Sequence, residues 1–284
     1  ILKYTEKKDV PLYLFTNGTL VDEEAMEIFA HARNLAYVLI SLDGATPEIH
    51  DYIRGRGNFG MTVSFVKSIT NLGIPVCFDT CINKINFHQY KEFVPLSRKL
   101  NGSAFHAEQI SLEGRAEAHE NELGLTMDQK NEIRAYFNEE ARRAEDIVIG
   151  EVLPHELTKK LLYKDEEKKD KCGVGWGFCQ IWPNGDVYPC RAMHHLKMKA
   201  GNIRKESFID IWQNAEIFKT LRSLSVETIS ECSICRVKYL CGGGCRARAY
   251  RYYRDWYKPD PESCKFRKAM AEELSQKYKK IYAI

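Results

Sequence analysis

The stretch Cys232-Ser-Ile-Cys235-Arg-Val-Lys-Tyr-Leu-Cys241-Gly-Gly-Gly-Cys245 decides how the second half of this chain folds. Four thiols in so short a loop seldom arise from core packing, and thiolates are strong ligands for metal centres. Four more cysteines flank the stretch, namely Cys172, Cys179, Cys190 and Cys264. Eight thiols make two complete sets of four ligands.

Three kinds of site use cysteines in this way: iron–sulfur clusters, zinc sites with four thiolates, and disulfides. Disulfides are disfavoured because the chain lacks the short, secreted character of a disulfide scaffold. Zinc usually takes its ligands from paired Cys-x2-Cys knuckles, and only Cys232 and Cys235 have that spacing. The pattern therefore favours two iron–sulfur clusters, with zinc as the alternative.

The composition is that of an ordinary cytoplasmic protein. The 284 residues are 44% hydrophobic and carry a net charge of +3, which gives no electrostatic reason to expect a nucleic-acid or membrane partner. No apolar run approaches the ~20 residues that cross a bilayer, and the first residues lack the order of a signal peptide. We therefore expect a soluble, cytoplasmic protein that binds neither nucleic acid nor membranes.

The first half of the chain alternates strand-like and helix-like segments. Strands are predicted at 11–15, 36–42, 75–82 and 104–112, and helices at 23–33, 60–72, 87–100 and 126–145. Alternation with short connections predicts an α/β fold with a parallel sheet, either open or closed into a barrel. In both architectures the chemistry lies at the carboxyl ends of the strands.

A change in composition predicts two domains. Residues 1–150 form the α/β domain, the charged segment 151–171 forms a bridge, and residues 172–284 form a smaller domain that ends in a helix. The smaller domain has few long periodic elements, so we expect bound metal to supply part of its folding free energy. Within it, Asn184-Gly185 predicts a hairpin turn ahead of Cys190.

The order of the cysteines resembles one family pattern. Cys172-x12-Gly185-x4-Cys190, followed by Cys-x2-Cys-x5-Cys-x3-Cys and a last cysteine, is similar to the SPASM extension of radical S-adenosylmethionine (SAM) enzymes that modify peptides and proteins. The resemblance implies two auxiliary [4Fe–4S] clusters. It implies that the first is held by Cys172, Cys179, Cys190 and Cys245. The second would be held by Cys232, Cys235, Cys241 and Cys264.

The first half resembles the later part of a partial (β/α)6 radical SAM barrel, which is similar to a TIM barrel. Thr16-Asn17-Gly18 follows the first strand, and Ser41-Leu42-Asp43-Gly44 closes the second. In that family, polar groups at these strand ends bind SAM. The resemblance therefore implies a SAM site formed by Ser41, Asn17, Asp43, Arg54, Thr16 and Arg115. The whole chain would combine this barrel with a small, irregular α+β SPASM domain.

Two motifs of that family are absent from the sequence. There is no Cys-x3-Cys-x2-Cys loop, whose thiolates hold the cluster that binds SAM, and no Gly-Gly-Glu strand. Four βα units are counted where the family has six, and residue 1 is Ile. We therefore expect a preceding segment that carries these motifs and a third [4Fe–4S] cluster. We expect the present chain alone not to cleave SAM.

The resemblance implies an enzyme that modifies a ribosomally made peptide or a protein, with electrons from a donor such as flavodoxin or ferredoxin. Thioether or carbon–carbon crosslinking is favoured over sulfatase maturation, because Arg191 stands where sulfatase maturases place an aspartate. Two alternatives stay open. One is a non-catalytic iron–sulfur module that relays electrons or binds a peptide, and the other is a zinc-stabilised binding protein.

Two further features are interpreted as structural. Cys77, Asp79 and Cys81 alternate on one predicted strand and share a face, which suits two small buried residues beside an incidental acid. The segment 246–258 interleaves basic and aromatic residues, which is typical of an amphipathic helix whose arginine stems lie along the surface.

Overall fold

A computed structural model of the protein describes residues 1–110, 112, 114–150, 172–235, 238 and 242–264. The chain divides into two compact units, Ile1–Glu156 and Leu157–Ile284. The predicted bridge, the predicted helix after Cys264, and Cys241 lie outside the described residues. Of the helices within those ranges, none has the length and apolar character that a membrane span requires.

The first unit is built on a five-stranded sheet whose strands lie side by side in chain order, each parallel to its neighbour. The strands are β1 (Leu12–Thr16), β2 (Leu35–Ser41), β3 (Val76–Ile82), β4 (Ala104–Gln109) and β5 (Val148–Ile149). The four predicted strands and the α/β class are confirmed. The two residues of β5 are too few for alternation to predict a strand there. The number of barrel units stays a prediction.

The two faces of this sheet are buried differently. The larger apolar core takes fully buried strand residues from one face, including Val38, Ile40, Phe78 and Phe105. Helical residues pack against them, including Phe65, Phe93 and Phe137. The opposite face carries a smaller apolar group of Leu39, Cys77 and Ala104. Because side chains alternate along a strand, the residues two positions further on extend this second face toward the strand ends.

The helices of the first unit begin at recognisable signals. They are α1 (Leu2–Lys7), α2 (Glu23–His31), α3 (Pro47–Arg54), α4 (Asn58–Asn71), α5 (Phe93–Lys99), α6 (Glu120–Leu123) and α7 (Met127–Arg143). Asp22 caps α2 by accepting the backbone N–H of Ala25 at 2.8 Å. The predicted helix at 87–100 is divided into a 3₁₀ turn and α5, because Pro95 lacks an N–H and fits only in a first turn.

The second unit contains a small antiparallel sheet of β6 (Gln180–Ile181), β7 (Asp186–Tyr188) and β8 (Gly201–Asn202). The predicted hairpin is present: Gly185 has a φ of 87°, and its N–H donates to the Trp182 carbonyl at 2.8 Å. The same unit contains short helices, namely α8 (Arg191–His195), α9 (Phe208–Asn214), α10 (Glu216–Ser223), α11 (Ser230–Ser233) and α12 (Arg246–Tyr253).

Candidate functional site

Three neighbouring strands bring three polar side chains to one face of the first unit. Ser41 is the last residue of β2, its partner on β3 is Asp79, and the partner of Asp79 on β4 is His106. Residues in register on adjacent parallel strands point to the same face. Ser41, Asp79 and His106, here called the strand-end line, therefore lie in a row across the sheet.

Asp79 and His106 are directly bonded within the strand-end line. Nδ1 of His106 donates to Oδ1 of Asp79 at 2.6 Å, because an ionised carboxylate only accepts. The side chain of His106 is 10% exposed, so the ring is held in place by its surroundings as well as by Asp79. Asp79 is thus not an incidental acid. His106 is missing from the sequence-based candidates, although it follows Ala104 on its strand as Asp79 follows Cys77.

Asp43 and Arg54, both predicted SAM contacts, form a buried ion pair. Nε of Arg54 donates to Oδ2 of Asp43 at 2.6 Å, and the backbone N–H of Cys81 donates to Oδ1 at 2.8 Å. Asp43 is only 4% exposed. Its carboxylate therefore ties the end of β2 to β3 and to α3. Contact of either residue with SAM stays a prediction.

The loop after Asp43 packs tightly against α3. A Cβ added at Gly44 would lie 2.2 Å from the backbone nitrogen of His50, so the position has room only for glycine. Nδ1 of His50 accepts the backbone N–H of Asp43 at 3.3 Å. His50 is fully buried, its Nε2 has no hydrogen-bond partner, and burial lowers the pKa of the imidazole.

The remaining predicted SAM contacts lie in turns. Oγ1 of Thr16 accepts the N–H of Gly18, and Oδ1 of Asn17 accepts the backbone N–H and hydroxyl of Thr19. Both side chains therefore close the turn after β1. Arg115 is exposed in the 3₁₀ turn Gly114–His119, beyond β4. Their roles toward SAM stay predictions.

In the second unit, three of the predicted metal ligands come together. Cys172, Cys190 and Cys245, here called the three-cysteine site, pack against one apolar cluster that includes Met193 and Leu221. Burial, with added repulsion from Cys245 and Cys172, raises the pKa of the Cys190 thiol to about 11. Burial and Cys245 also raise the pKa of Cys172. Thiols that oppose one another's ionisation fit a metal centre, because bound metal supplies the missing positive charge.

Cys190 and Cys245 occupy matching positions at the starts of two helices. Cys190 is the N-cap of α8 and Cys245 is the N-cap of α12, and an arginine follows each of them. The first N–H groups of a helix have no partner within the helix. In α8, those of Ala192 and Met193 lower the pKa of the Cys190 thiol, in opposition to burial. Such donors stabilise a thiolate ligand.

Three other predicted ligands have contacts of their own. Cys179 packs against a second apolar cluster that contains Val187 and Phe218, and burial raises the pKa of its thiol. Cys232 and Cys235 share a turn in which the N–H of Cys235 donates to the Cys232 carbonyl at 2.9 Å. Their assignment to particular clusters stays a prediction.

Asp260 connects two further cysteines. Its Oδ2 accepts the backbone N–H of Cys245 at 2.9 Å, and its carbonyl accepts the N–H of Cys264 at 2.8 Å. Arg248 holds the same carboxylate through two hydrogen bonds, of 2.7 and 2.8 Å. Cys245 and Cys264, which the family resemblance assigns to different clusters, are therefore bonded to one buried residue, Cys245 to its side chain and Cys264 to its backbone carbonyl.

The described donors suit iron–sulfur clusters. Within the described ranges, no three cysteine, histidine or acidic side chains come close enough to hold a single metal ion. A [4Fe–4S] cluster does not require that approach, because each of its thiolates binds a different iron. An all-cysteine donor set and the mutual repulsion in the three-cysteine site fit such a cluster. The number of clusters stays a prediction.

Two family models match the chain. Residues 1–94 match the radical SAM superfamily, and residues 172–236 match SPASM, an iron–sulfur cluster-binding domain. The first match contains β1 to β3 with the turns and the ion pair described above. The second contains the hairpin and five of the eight predicted cysteine ligands.

Known proteins resemble the chain over most of its length. It is 28% identical to the AdoMet-dependent heme synthase of Methanosarcina barkeri, over 92% of this chain and 76% of that protein. It is also 28% identical to mycofactocin maturase MftC of Mycolicibacterium smegmatis, over 92% of this chain and 65% of that protein. The Streptococcus suis protein SuiB, solved with S-adenosylmethionine, shares the fold with a TM-score of 0.73 at 18% identity, over 93% of this chain and 61% of that chain. SuiB bound to precursor peptide SuiA gives a TM-score of 0.72 at 16% identity over the same shares.

A parallel α/β unit with polar strand ends, followed by a unit rich in thiols, defines an enzyme class that combines SAM with iron–sulfur clusters. Residues 1–94 belong to the radical SAM superfamily, and residues 172–236 belong to a SPASM domain. It spans about three quarters of the heme synthase and less than two thirds of MftC and SuiB.

Proposed function

We propose that this protein modifies a ribosomally made peptide by radical SAM chemistry. The observation that carries the proposal is that one chain presents both the strand-end line and the three-cysteine site. A peptide substrate is supported by the similarity to mycofactocin maturase and by the fold shared with SuiB in its precursor-peptide complex.

The first unit would bind and orient the reactants. Bound SAM, reduced by one electron, supplies a 5′-deoxyadenosyl radical that removes a hydrogen atom from the substrate. Ser41 offers a hydroxyl at the end of β2, and the turn after β1 offers polar groups beside it. The ion pair of Asp43 with Arg54 fixes the end of β2 against β3, which keeps Ser41 in a constant place.

The bonded pair of Asp79 and His106 would handle a proton. When a substrate radical loses one electron to form a new bond, it also releases a proton that needs a base. His106 lies on the same face as Ser41, and its ring is oriented by the carboxylate of Asp79. An oriented imidazole beside a carboxylate is a common arrangement for taking up a proton near neutral pH.

The second unit would hold the auxiliary clusters. We assign the first [4Fe–4S] cluster to Cys172, Cys179, Cys190 and Cys245. We assign the second to Cys232, Cys235, Cys241 and Cys264. Clusters of this kind exchange single electrons. A small electron-transfer protein such as flavodoxin or ferredoxin would supply the reducing electron.

The product is proposed to be a thioether or a carbon–carbon crosslink. Arg191 follows Cys190 and is exposed, so an acidic base at that position, the pattern of sulfatase maturases, is lacking. This favours crosslinking over sulfatase maturation.

A second candidate function is a step of heme formation. The similarity to the AdoMet-dependent heme synthase covers a larger share of that relative, 76%, than the similarity to MftC does, 65%. The substrate would then be a tetrapyrrole. The same SAM and cluster residues would serve both reactions, so only a substrate assay separates them.

The full-length gene product, purified without oxygen, tests both candidates. We expect a brown protein with about eight irons and eight sulfides beyond those of the SAM cluster. With dithionite, we expect 5′-deoxyadenosine and a mass change in a peptide encoded beside the gene. Turnover of a tetrapyrrole alone would favour the second candidate. A colourless protein with stoichiometric zinc would overturn both and favour a zinc-stabilised binding protein.

A further inference from the structure

Arg246 is a buried cation beside the three-cysteine site. It is the first residue of α12, directly after Cys245, and it is 4% exposed. Nη1 donates to the carbonyls of Trp256 at 3.0 Å and Lys258 at 2.8 Å, and Nη2 donates to the Gly243 carbonyl. The sequence-based interpretation, an arginine stem lying along the surface, is therefore wrong for Arg246. The end of its guanidinium is anchored to the loop that follows the helix.

One donor of this side chain is left over. Nε of Arg246 is buried without a hydrogen-bond partner, and an unpaired buried N–H is costly. Arg246 also lines a small, partly open cavity together with Cys172 and Gly242. A buried donor beside a cavity that a cysteine ligand shares indicates that a further acceptor belongs there.

The charge of Arg246 also lacks a dedicated counterion. The nearby carboxylate of Asp260 is held by both Nε and Nη2 of Arg248, and no described carboxylate forms an ion pair with Arg246. A buried guanidinium without an ion-pair partner calls for a negative group nearby.

We propose that Arg246 donates its Nε–H and lends its positive charge to the auxiliary cluster of the three-cysteine site, and thereby raises the reduction potential of that cluster. The inference rests on the auxiliary cluster of the proposed function. A thiolate-ligated cluster becomes one unit more negative when it is reduced. A fixed cation and an N–H donor stabilise the reduced form more than the oxidised form, so the potential rises.

Arg191 provides a matched control within the same unit. It follows Cys190 at the start of α8 as Arg246 follows Cys245 at the start of α12. Arg191 is exposed, whereas Arg246 is buried. Water screens the charge of Arg191, so its removal should change the potential little.

The test is a redox titration of the full-length holoprotein followed by electron paramagnetic resonance. The signal of the relevant cluster is identified by its loss in Cys190→Ala. At a fixed applied potential, Arg246→Gln should lower the ratio of reduced to oxidised cluster about tenfold, which is 59 mV for one electron. Arg191→Gln should change that ratio less than twofold. Equal ratios in wild type and Arg246→Gln, at equal iron content, would overturn the proposal.

If Arg246→Gln loses its iron, the variant Arg246→Lys provides a second test. Lysine keeps the charge but removes the Nε–H, so we expect a loaded cluster whose ratio falls by a smaller factor. A loaded Arg246→Lys variant with the wild-type ratio would refute the donation from Nε–H to the cluster. Wild-type protein without any cluster signal would instead refute the proposed function, so the two failures are distinguishable.

Discussion

His106 and Asp79 meet across adjacent strands, with Nδ1 of the imidazole 2.6 Å from Oδ1 of the carboxylate. The pair shares a face with Ser41, which the family resemblance assigns to SAM. Because both residues lie within regular strands, their relative position is set by the backbone rather than by a loop. This makes the pair a rigid element of the site.

If Asp79 acts by orienting His106, replacing either residue should have the same effect. We expect Asp79→Asn and His106→Gln each to lower product formation by about 10²-fold, within the range for acid–base catalysis, with no further loss in the double variant. The exposed His88, changed to Gln, serves as the control. Product yield per 5′-deoxyadenosine is the measurement, and additive losses would contradict the coupling.

A bulky residue at Ser41 should obstruct the predicted SAM site. We expect Ser41→Leu to weaken SAM binding at least tenfold in the full-length protein, because the side chain ends β2 on the face of the strand-end line. Iron at the auxiliary clusters should not change. Ser68→Leu, at an exposed position of α4, is the control. Calorimetric titration with SAM checks this, and wild-type affinity in Ser41→Leu would remove Ser41 from the site.

The ion pair of Asp43 with Arg54 should stabilise the first unit. Asp43→Asn leaves Arg54 without its anion, and we expect a loss of about 3 kcal/mol, the lower end for a buried pair because the Arg54 side chain is 29% exposed. Asp146→Asn is the control, since its pair with Arg98 lies at the surface and should matter little. Urea unfolding measures both, and equal stability of the two variants would contradict this prediction.

Buried His50 should make stability depend on pH. Its pKa in the folded protein is lowered by burial and by Arg54, against opposing effects of Asp43 and Asp51. The folded state then binds fewer protons than the unfolded state, so stability is complete above the unfolded pKa of about 6.5 and declines as pH falls through the folded pKa. Urea unfolding between pH 8 and 5 should show a shallower decline in His50→Gln. An unchanged pH dependence would exclude His50 as the cause.

The predicted ligand partition can be tested with cysteine variants. Cys245→Ala should deplete the cluster that Cys190→Ala depletes, because Cys172, Cys190 and Cys245 pack together. Cys264→Ala should deplete the other cluster, together with Cys241→Ala. Both kinds of variant should also be cleaved faster by protease, because metal-linked folding energy is lost. Spectroscopy that distinguishes the two clusters shows which one each variant loses. If Cys245→Ala and Cys241→Ala deplete the same cluster, the predicted ligand partition is wrong.

Features that depend on local sequence could be predicted. The four main strands follow from apolar runs bounded by turn residues, and the cap at Asp22 follows from residue type. The hairpin before Cys190 follows from Asn184-Gly185, because the turn requires the positive φ that glycine adopts readily. The spacing of the cysteines was enough to predict a thiolate-rich domain.

Features that depend on register and burial could not be predicted. Asp79 and His106 lie 27 residues apart, and only the alignment of β3 with β4 places them opposite each other. No pattern within one strand reveals that alignment. Arg246 resembles the other arginines of its segment in sequence. Its side chain is nevertheless buried, because its guanidinium donates to the carbonyls of Trp256 and Lys258. Such anchoring depends on how the following loop returns to the helix.

Asp260 has a consequence for how the clusters are assembled. The residue is 1% exposed and is fixed by Arg248; its carboxylate holds the backbone of Cys245, and its carbonyl holds that of Cys264. One cysteine of each predicted ligand set is therefore held by the same residue. Binding of either cluster would make Asp260 more rigid, because Asp260 is bonded to a ligand of each cluster. This would favour insertion of the other cluster. Half-filled molecules should then be rare during maturation, and iron should enter the two sites nearly together.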